Sequence, residues 1–429
     1  APSPAGDRPS YRLTRVLFQA GPHRRAAPEG ARRMPVGARF GHTCTPLGDG
    51  RVVLFGGATG GGGCFTVLAD AHVLDPRTRT WSRMETEGPS PAARLGHASV
   101  CVGEGHGQVV VYGGSAGGGM LVPEDMYLLD ADDLEGPGWA VVRVEGPTPG
   151  ARYGHAMVFS EGQMELVVFG GHNGLEALGD LWTLSIRGRP FGPWRWTQVS
   201  AANSLAPSPR CYHAAAVCPA GAARGMVVVF GGRRSDGACL NDAWGLEPRS
   251  DGSWEWVLAP VGASALPEPR CQHACVFLGE WLLVAGGRGA ASSGRDAPLS
   301  SALYDTGSGE WVACDLGVHR CWHACWAAEG VVFSHGGFCD GKWSAPGSEL
   351  ELAGVYFEEA DVVAGGGQVG SSKRLRRAWP PMCCSEMVRE VPTVLLQADA
   401  WPPTVLLDAE PPPGRELPEL VRLGDLPPL

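Results

Sequence analysis

An arginine, a histidine three residues later and a glycine doublet 13 to 18 residues beyond that recur six times along this 429-residue chain. The Arg–His pairs are Arg39 and His42, Arg94 and His97, Arg152 and His155, Arg210 and His213, Arg270 and His273, and Arg320 and His323. The doublets are Gly56 and Gly57, Gly113 and Gly114, Gly170 and Gly171, Gly231 and Gly232, Gly286 and Gly287, and Gly336 and Gly337. A unit returning about every 50–60 residues specifies a repeat architecture, in which each unit buries its faces against its neighbours. A residue present six times is scaffold before it is catalyst, so all of these positions are read as structural.

Each unit reads as four short strands. An apolar stretch such as 156–159 follows the histidine. A second run (Val52 to Phe55, Val109 to Tyr112, Leu166 to Phe169, Val227 to Phe230, Leu282 to Ala285) leads into the doublet. These continuous apolar runs suit strands buried on both faces. The glycines supply backbone conformations and close approach that a side chain would block. A variable loop follows. The third strand starts at an Asp (Asp70, Asp125, Asp180, Asp242), and the fourth carries a Trp (Trp81, Trp139, Trp196, Trp256, Trp311). Four strands per unit, repeated, is the sequence form of a propeller blade. The sixth unit has a third strand within 349–357 but no Trp-bearing fourth. Residues 11–18 form an orphan strand before the first repeat, expected to complete the sixth blade and remove an open edge.

Gly 63 and Pro 36 are high and follow no collagen-like period, which strand-and-turn punctuation explains. The net charge of −10 argues against a general nucleic-acid surface. No apolar run reaches the length of a membrane helix. Of the 14 cysteines, Cys211, Cys271 and Cys321 occupy one equivalent place where Phe40, Leu95 and Tyr153 stand in the other repeats. They are read as small buried hydrophobes, and the cysteines as reduced and intracellular.

The doublets, the downstream aromatics and Trp, and the preceding Pro-x-x-Arg (Pro91 to Arg94, Pro149 to Arg152) resemble the Kelch repeat over about residues 36–340. That resemblance implies an all-β, six-bladed propeller, here expected over 11–360. Residues 361–429 are expected to be a Gly/Pro-rich linker and poorly ordered tail. The segment 244–260, together with Tyr11 to Leu13 and Gly170 to Gly174, is similar to the Kelch domain that precedes a metallophosphatase domain in Ser/Thr phosphatases of plants, algae and alveolates. Residues 390–397 and 416–423 resemble fragments flanking the first metal motif of that phosphatase, which makes the tail a candidate remnant of such a domain. The motif itself is absent: Glu410 to Gly414 stand there, and Gly424-Asp425 is followed by Leu-Pro. Without those carboxylate and imidazole ligands the chain is expected not to be a phosphatase.

Other chemistry is weaker. The run Gly57 to Gly63 leads into a strand rather than a helix, unlike a phosphate loop. Cys321, His323 and Cys325 share one strand face, but one extended strand seldom wraps a tetrahedral ion, and zinc needs a fourth ligand. The Kelch-fold copper oxidases use a Tyr/Cys/His/Tyr set, for which the 7 tyrosines here form no obvious cluster. Neither metal nor cofactor is expected. The leading function is a protein-interaction module, a scaffold or regulatory part of a phosphatase signalling protein. The alternative is an enzyme or metal protein using the central channel. The expected location is cytoplasmic, with the basic run Lys373 to Arg377 compatible with nuclear import.

Loop variation after each doublet (58–68, 115–123, 172–178, 233–240, 288–299) points to one continuous binding face. Arg233, Arg234, Arg288 and Arg295 place positive charge there on an acidic chain, which suits an acidic or phosphorylated partner segment. Ring closure by the N-terminal strand carries its own test: deleting residues 1–20 lowers the melting temperature more than deleting 380–429, and equal losses would count against it.

Overall fold

The computed structural model describes residues 10–19, 36–61, 64–75, 80–102, 107–132, 136–186, 194–200, 205–289, 299–314, 320–328, 331–339, 342–343, 351–360, 389–390, 394–396 and 405–407. Every regular element among them is a β-strand. In the first blade, Thr43–Pro46, Val52–Phe55, Ala71–Asp75 and Thr80–Arg83 lie side by side, all antiparallel. Four more blades repeat this order, and the third adds Val144–Glu145 parallel to Trp194–Val199. The expected second strands are the most buried: Val109, Val110, Val111 and Tyr112 expose 1% or less. The core lies in the seams between blades. In one such cluster Phe55 of the first blade packs with Val109, Leu129 and Trp139 of the second.

The innermost strands are Thr43–Pro46, Ala98–Val102, Ala156–Ser160, Ala214–Val217, Ala274–Leu278 and Ala324–Ala328. Each neighbours the next, and the last neighbours the first. The expectation of six like blades is nevertheless corrected: five are regular, and the sixth position holds a seven-stranded sheet. In that sheet Ala324–Ala328, Val331–His335 and Glu351–Ala360 pair in order, and Ser10–Gln19 pairs antiparallel with Glu351–Ala360 along its whole length. Arg389–Glu390 and Val394–Leu396 then pair with Ser10–Gln19, and Val405–Leu407 with Val394–Leu396. The physical reason is an unprotected outer edge, which templates further pairing by two tail segments of the same sequence, Pro-Thr-Val-Leu-Leu at 392–396 and 403–407. The tail, expected to be poorly ordered, thus contributes three short strands. The rest of 361–429, with Lys373 to Arg377, and Arg295 lie outside the described residues.

One backbone bond joins each repeat to the next at the doublet. The N–H of the second glycine donates to the arginine carbonyl of the following repeat: Gly57 to Arg94, Gly114 to Arg152, Gly171 to Arg210, Gly232 to Arg270, Gly287 to Arg320 and, returning to the start, Gly337 to Arg39. Gly56 and Gly57 have φ of +64° and +90°, and a Cβ on Gly57 would lie 2.7 Å from the His42 Cβ. Only glycine combines that left-handed backbone with that approach.

Candidate docking face

Five of the six arginines are buried at the inner end of their blades and Arg320 is half-buried; Arg94, Arg152, Arg210 and Arg270 expose 2% or less. Each donates through Nη1 to the carbonyl of the first doublet glycine of its own repeat: Gly56, Gly113, Gly170, Gly231, Gly286 and Gly336. Three also grip the third-strand aspartate with a two-pronged fork at 2.7–2.9 Å: Arg39 with Asp70, Arg152 with Asp180, and Arg210 with Asp242. Burial pushes the Asp180 and Asp242 carboxyls up, but the guanidinium bonds outweigh it and hold both below the usual carboxylate range. In the fifth blade, which has no such aspartate, Arg270 donates to the Ser300 carbonyl instead. Arg94 lies over the Tyr127 ring at 5.2 Å.

Of the six histidines, read from sequence as bonded within their own blades, three bond across the seams instead. His97 pairs with Thr43 of the preceding blade at 3.0 Å, His273 with the Phe230 carbonyl at 3.2 Å, and His42 with His335 at 2.9 Å. Four seams stack in the same way; the seam between the fifth blade and the sixth sheet, where Ala285 precedes the doublet, is the exception. The aromatic before the doublet meets the histidine and the Trp of the next blade, as Phe55 meets His97 and Trp139, and Phe230 meets His273 and Trp311. At the closing seam His335 takes the aromatic's place, against His42 and Trp81. Burial lowers all these imidazoles, to about 3 for His97, His155, His213, His323 and His335. They are neutral at pH 7. Cys321, His323 and Cys325 do not converge. Among the described residues the His/Cys group tight enough to share an ion is His42, Cys44 and His335, with ligand atoms within 4.8 Å of one another.

Two positions after each arginine, a second ring of backbone bonds circles the axis. Gly41 donates to Trp322, Trp322 to Gln272, Gln272 to Tyr212, Tyr212 to Gly154, Gly154 to Gly96 and Gly96 to Gly41. All six residues are left-handed, with φ between +56° and +63°. Three of them therefore bring a side chain to the axis in a conformation that favours glycine. Trp322 and Tyr212 pack at a tilt with centroids 5.1 Å apart, Tyr212 likewise meets Tyr153 at 5.8 Å, and Phe40 meets Trp322 edge-on at 5.6 Å. With Phe65 and Leu95 they line a recess of about 240 Å³ beside the post-doublet hairpins. Sequence reading places Phe40 and Tyr153 only as the counterparts of Cys211, Cys271 and Cys321, and misses this aromatic floor. Its signal was the loss of glycine at 212, 272 and 322, between the arginine and the histidine.

Of the four arginines expected to bind a partner, Arg233 and Arg234 are exposed and Arg288 is half-buried, all three on post-doublet segments. Arg234 pairs with Asp236 at 2.5 Å, an exposed contact of little energetic consequence. The same segments expose Phe65, Met120 and Leu175, the last by 91%. No helix among the described residues is long and apolar enough to cross a membrane.

Comparison with known proteins agrees with this geometry. The profile of the KLHDC2/KLHL20/DRC7 Kelch-repeats domain matches residues 41–223 and 196–349. The serine/threonine-protein phosphatase BSL2 of Arabidopsis thaliana is 34% identical over 334 residues, covering 68% of this chain and 31% of the phosphatase. Acyl-CoA-binding domain-containing protein 5 of the same plant is 30% identical over 278 residues, 62% of this chain and 38% of that protein. Adagio-like protein 3 of rice is 32% identical over 268 residues, 60% of this chain and 40% of that protein. The chain thus spans less than half the length of each of these relatives. From the closed ring of repeats and the family match together, it belongs to the Kelch-repeat family of β-propellers.

Proposed function

We propose that residues 11–360 act as one propeller, closed by the strand Ser10–Gln19, that docks an acidic or phosphorylated protein segment on its loop face. The observation that carries this reading is a division of labour among arginines. Those of the repeat, Arg320 half-buried and the rest buried, are bonded to carbonyls and aspartates of their own units. Arg233 and Arg234 stand exposed on the hairpins, with Arg288 half-buried beside them, near an aromatic recess and the exposed Phe65, Met120 and Leu175. Solvent-accessible guanidiniums beside apolar surface suit a peptide that carries carboxylates or phosphates next to a hydrophobic anchor. The likeness to a Kelch-containing phosphatase supports a place in phosphatase signalling, as a scaffold or regulatory part. Arg295 belongs to the same proposal by its position in the loop.

The test is an array of acidic and phosphoserine peptides with uncharged counterparts, probed with the full chain. Retention is expected to favour the charged peptides and to fall with salt. The double variant Arg234→Glu/Arg288→Glu is expected to lose about ten-fold in affinity. Equal retention of charged and uncharged peptides overturns the reading.

A further inference from the structure

Five residues on the loop face lie in one row across two neighbouring blades. Cys211 pairs with Arg233, Arg233 with Cys239, and Cys271 with Arg288. The remaining link follows from register. Leu240 bridges Arg270 antiparallel, with the Arg270 N–H donating to the Leu240 carbonyl at 2.9 Å. One step along, Cys239 therefore opposes Cys271. Directly opposed residues in antiparallel strands project from the same face, with Cβ atoms about 4.5–5.5 Å apart. Three thiols and two guanidiniums thus share one face. The Cys239 Sγ lies 4.0 Å from the Arg288 carbonyl, which itself receives the Cys271 N–H. Cys239 is half-buried, whereas Cys271 is buried.

We propose that Cys239 is a peroxide-reactive thiol and that Cys271 is its resolving partner, the two forming a disulfide across the seam between the fourth and fifth blades. Thiolate character, not the thiol, sets such reactivity, and nearby cations create it. The Cys271 S–H, directed at the Cys239 sulfur, lowers the Cys239 pKa most. Burial opposes it, and the charges of Arg233 and Arg288 add to the lowering. The buried Cys271 and Cys211 are pushed up instead, and Tyr212, also raised, faces the same cluster. One thiol of the group is therefore distinguished as nucleophile, with its neighbour held protonated against it.

The chemistry balances with a hydroperoxide as oxidant. The Cys239 thiolate attacks the distal peroxide oxygen, the O–O bond breaks, and the alcohol leaves once protonated. The Cys239 sulfenic acid is then attacked by the Cys271 sulfur. An S–S bond forms, the S–O bond breaks, and the oxygen departs as water with the Cys271 proton. Two thiols are oxidised and one peroxide is reduced to alcohol and water. The opposed register meets the requirement that bridged Cα atoms lie about 4.4–6.8 Å apart. This inference does not depend on the docking proposal, although Arg233 and Arg288 belong to both.

The experiment uses the full chain, reduced and then exposed to hydrogen peroxide, with peptide mass spectrometry before and after. A peptide linking Cys239 to Cys271, lighter by two hydrogens, is expected to be the first crosslink formed. Iodoacetamide should label Cys239 several-fold faster at pH 7 than Cys44 or Cys101. In Cys271→Ser the Cys239 sulfenic acid should persist and be trapped by dimedone; Cys271→Ala is the second choice if the serine variant misfolds. Labelling of Cys239 no faster than of Cys44, or peroxide crosslinks that bypass the 239–271 pair, would overturn the proposal.

Discussion

Acidification from pH 7.5 to 5.5 is expected to unfold this propeller, well before its carboxylates titrate. His42, His97, His155, His213, His273, His323 and His335 are all buried, and burial lowers each below its ordinary value. Burial and the neighbouring arginine outweigh the backbone carbonyls that favour the imidazolium at His213, His273 and His323. The sign follows from linkage. The unfolded chain binds protons at these sites below about pH 6.5, and the folded chain does not, so the histidines leave stability untouched above that pH and erode it as pH falls. At pH 5.5 each costs about 1.4 kcal/mol. The seven together remove about 10 kcal/mol, comparable with the whole stability of a typical domain. The carboxylates Asp180 and Asp242, held low by their arginines, and Asp70, held low by His72 and Arg39, add their loss only below about pH 4. Tryptophan fluorescence and far-UV circular dichroism against pH should show a steep transition between pH 5 and 6. Native signals persisting to pH 4.5 would mean that the histidines are not held neutral in the folded ring.

Replacing Arg152 by methionine is expected to cost about 3–5 kcal/mol, the range for breaking a buried ion pair by removing one partner. Arg152 exposes 1% of its side chain, and its partner Asp180 exposes 22%. Methionine keeps much of the volume but leaves Asp180 and the Gly170 carbonyl without their donors. The Trp182 indole, which donates to the same aspartate at 2.6 Å, satisfies only part of that loss. Arg94 donates to the Ala92 and Gly113 carbonyls and lies over the Tyr127 ring instead of forking an aspartate, so Arg94→Met should cost less. Urea titrations of both variants check the order, and equal costs would mean that the fork adds nothing to the ring.

Most of the scaffold was legible because its signals are local and repeated. The doublets mark one backbone conformation, the valine-rich runs mark buried strands, and the Trp positions mark outer strands that pack on a neighbour's aromatic. The orphan strand near Tyr11 was legible from what the sixth repeat lacked, and Ser10–Gln19 does pair with Glu351–Ala360. What escaped depends on contacts between repeats. Nothing in one unit says that its histidine bonds across a seam. Nor does spacing reveal that residues 41, 96, 154, 212, 272 and 322 form one closed ring of hydrogen bonds. The pairing of the tail segments at 394–396 and 405–407 with the N-terminal strand is likewise non-local, and a Pro-rich composition pointed away from it. The Cys239–Cys271 juxtaposition needed the register of two blades.

The central claim is that the repeated arginines hold the ring while the loop arginines recognise a partner. One paired measurement tests it: melting temperature and charged-peptide retention, read on both Arg152→Met and Arg234→Glu/Arg288→Glu. The expected result is a lowered melting temperature for the first variant. The second should melt unchanged, with about ten-fold weaker retention. A loop variant that binds as well as the parent, or an Arg152 variant that melts as the parent does, would contradict it.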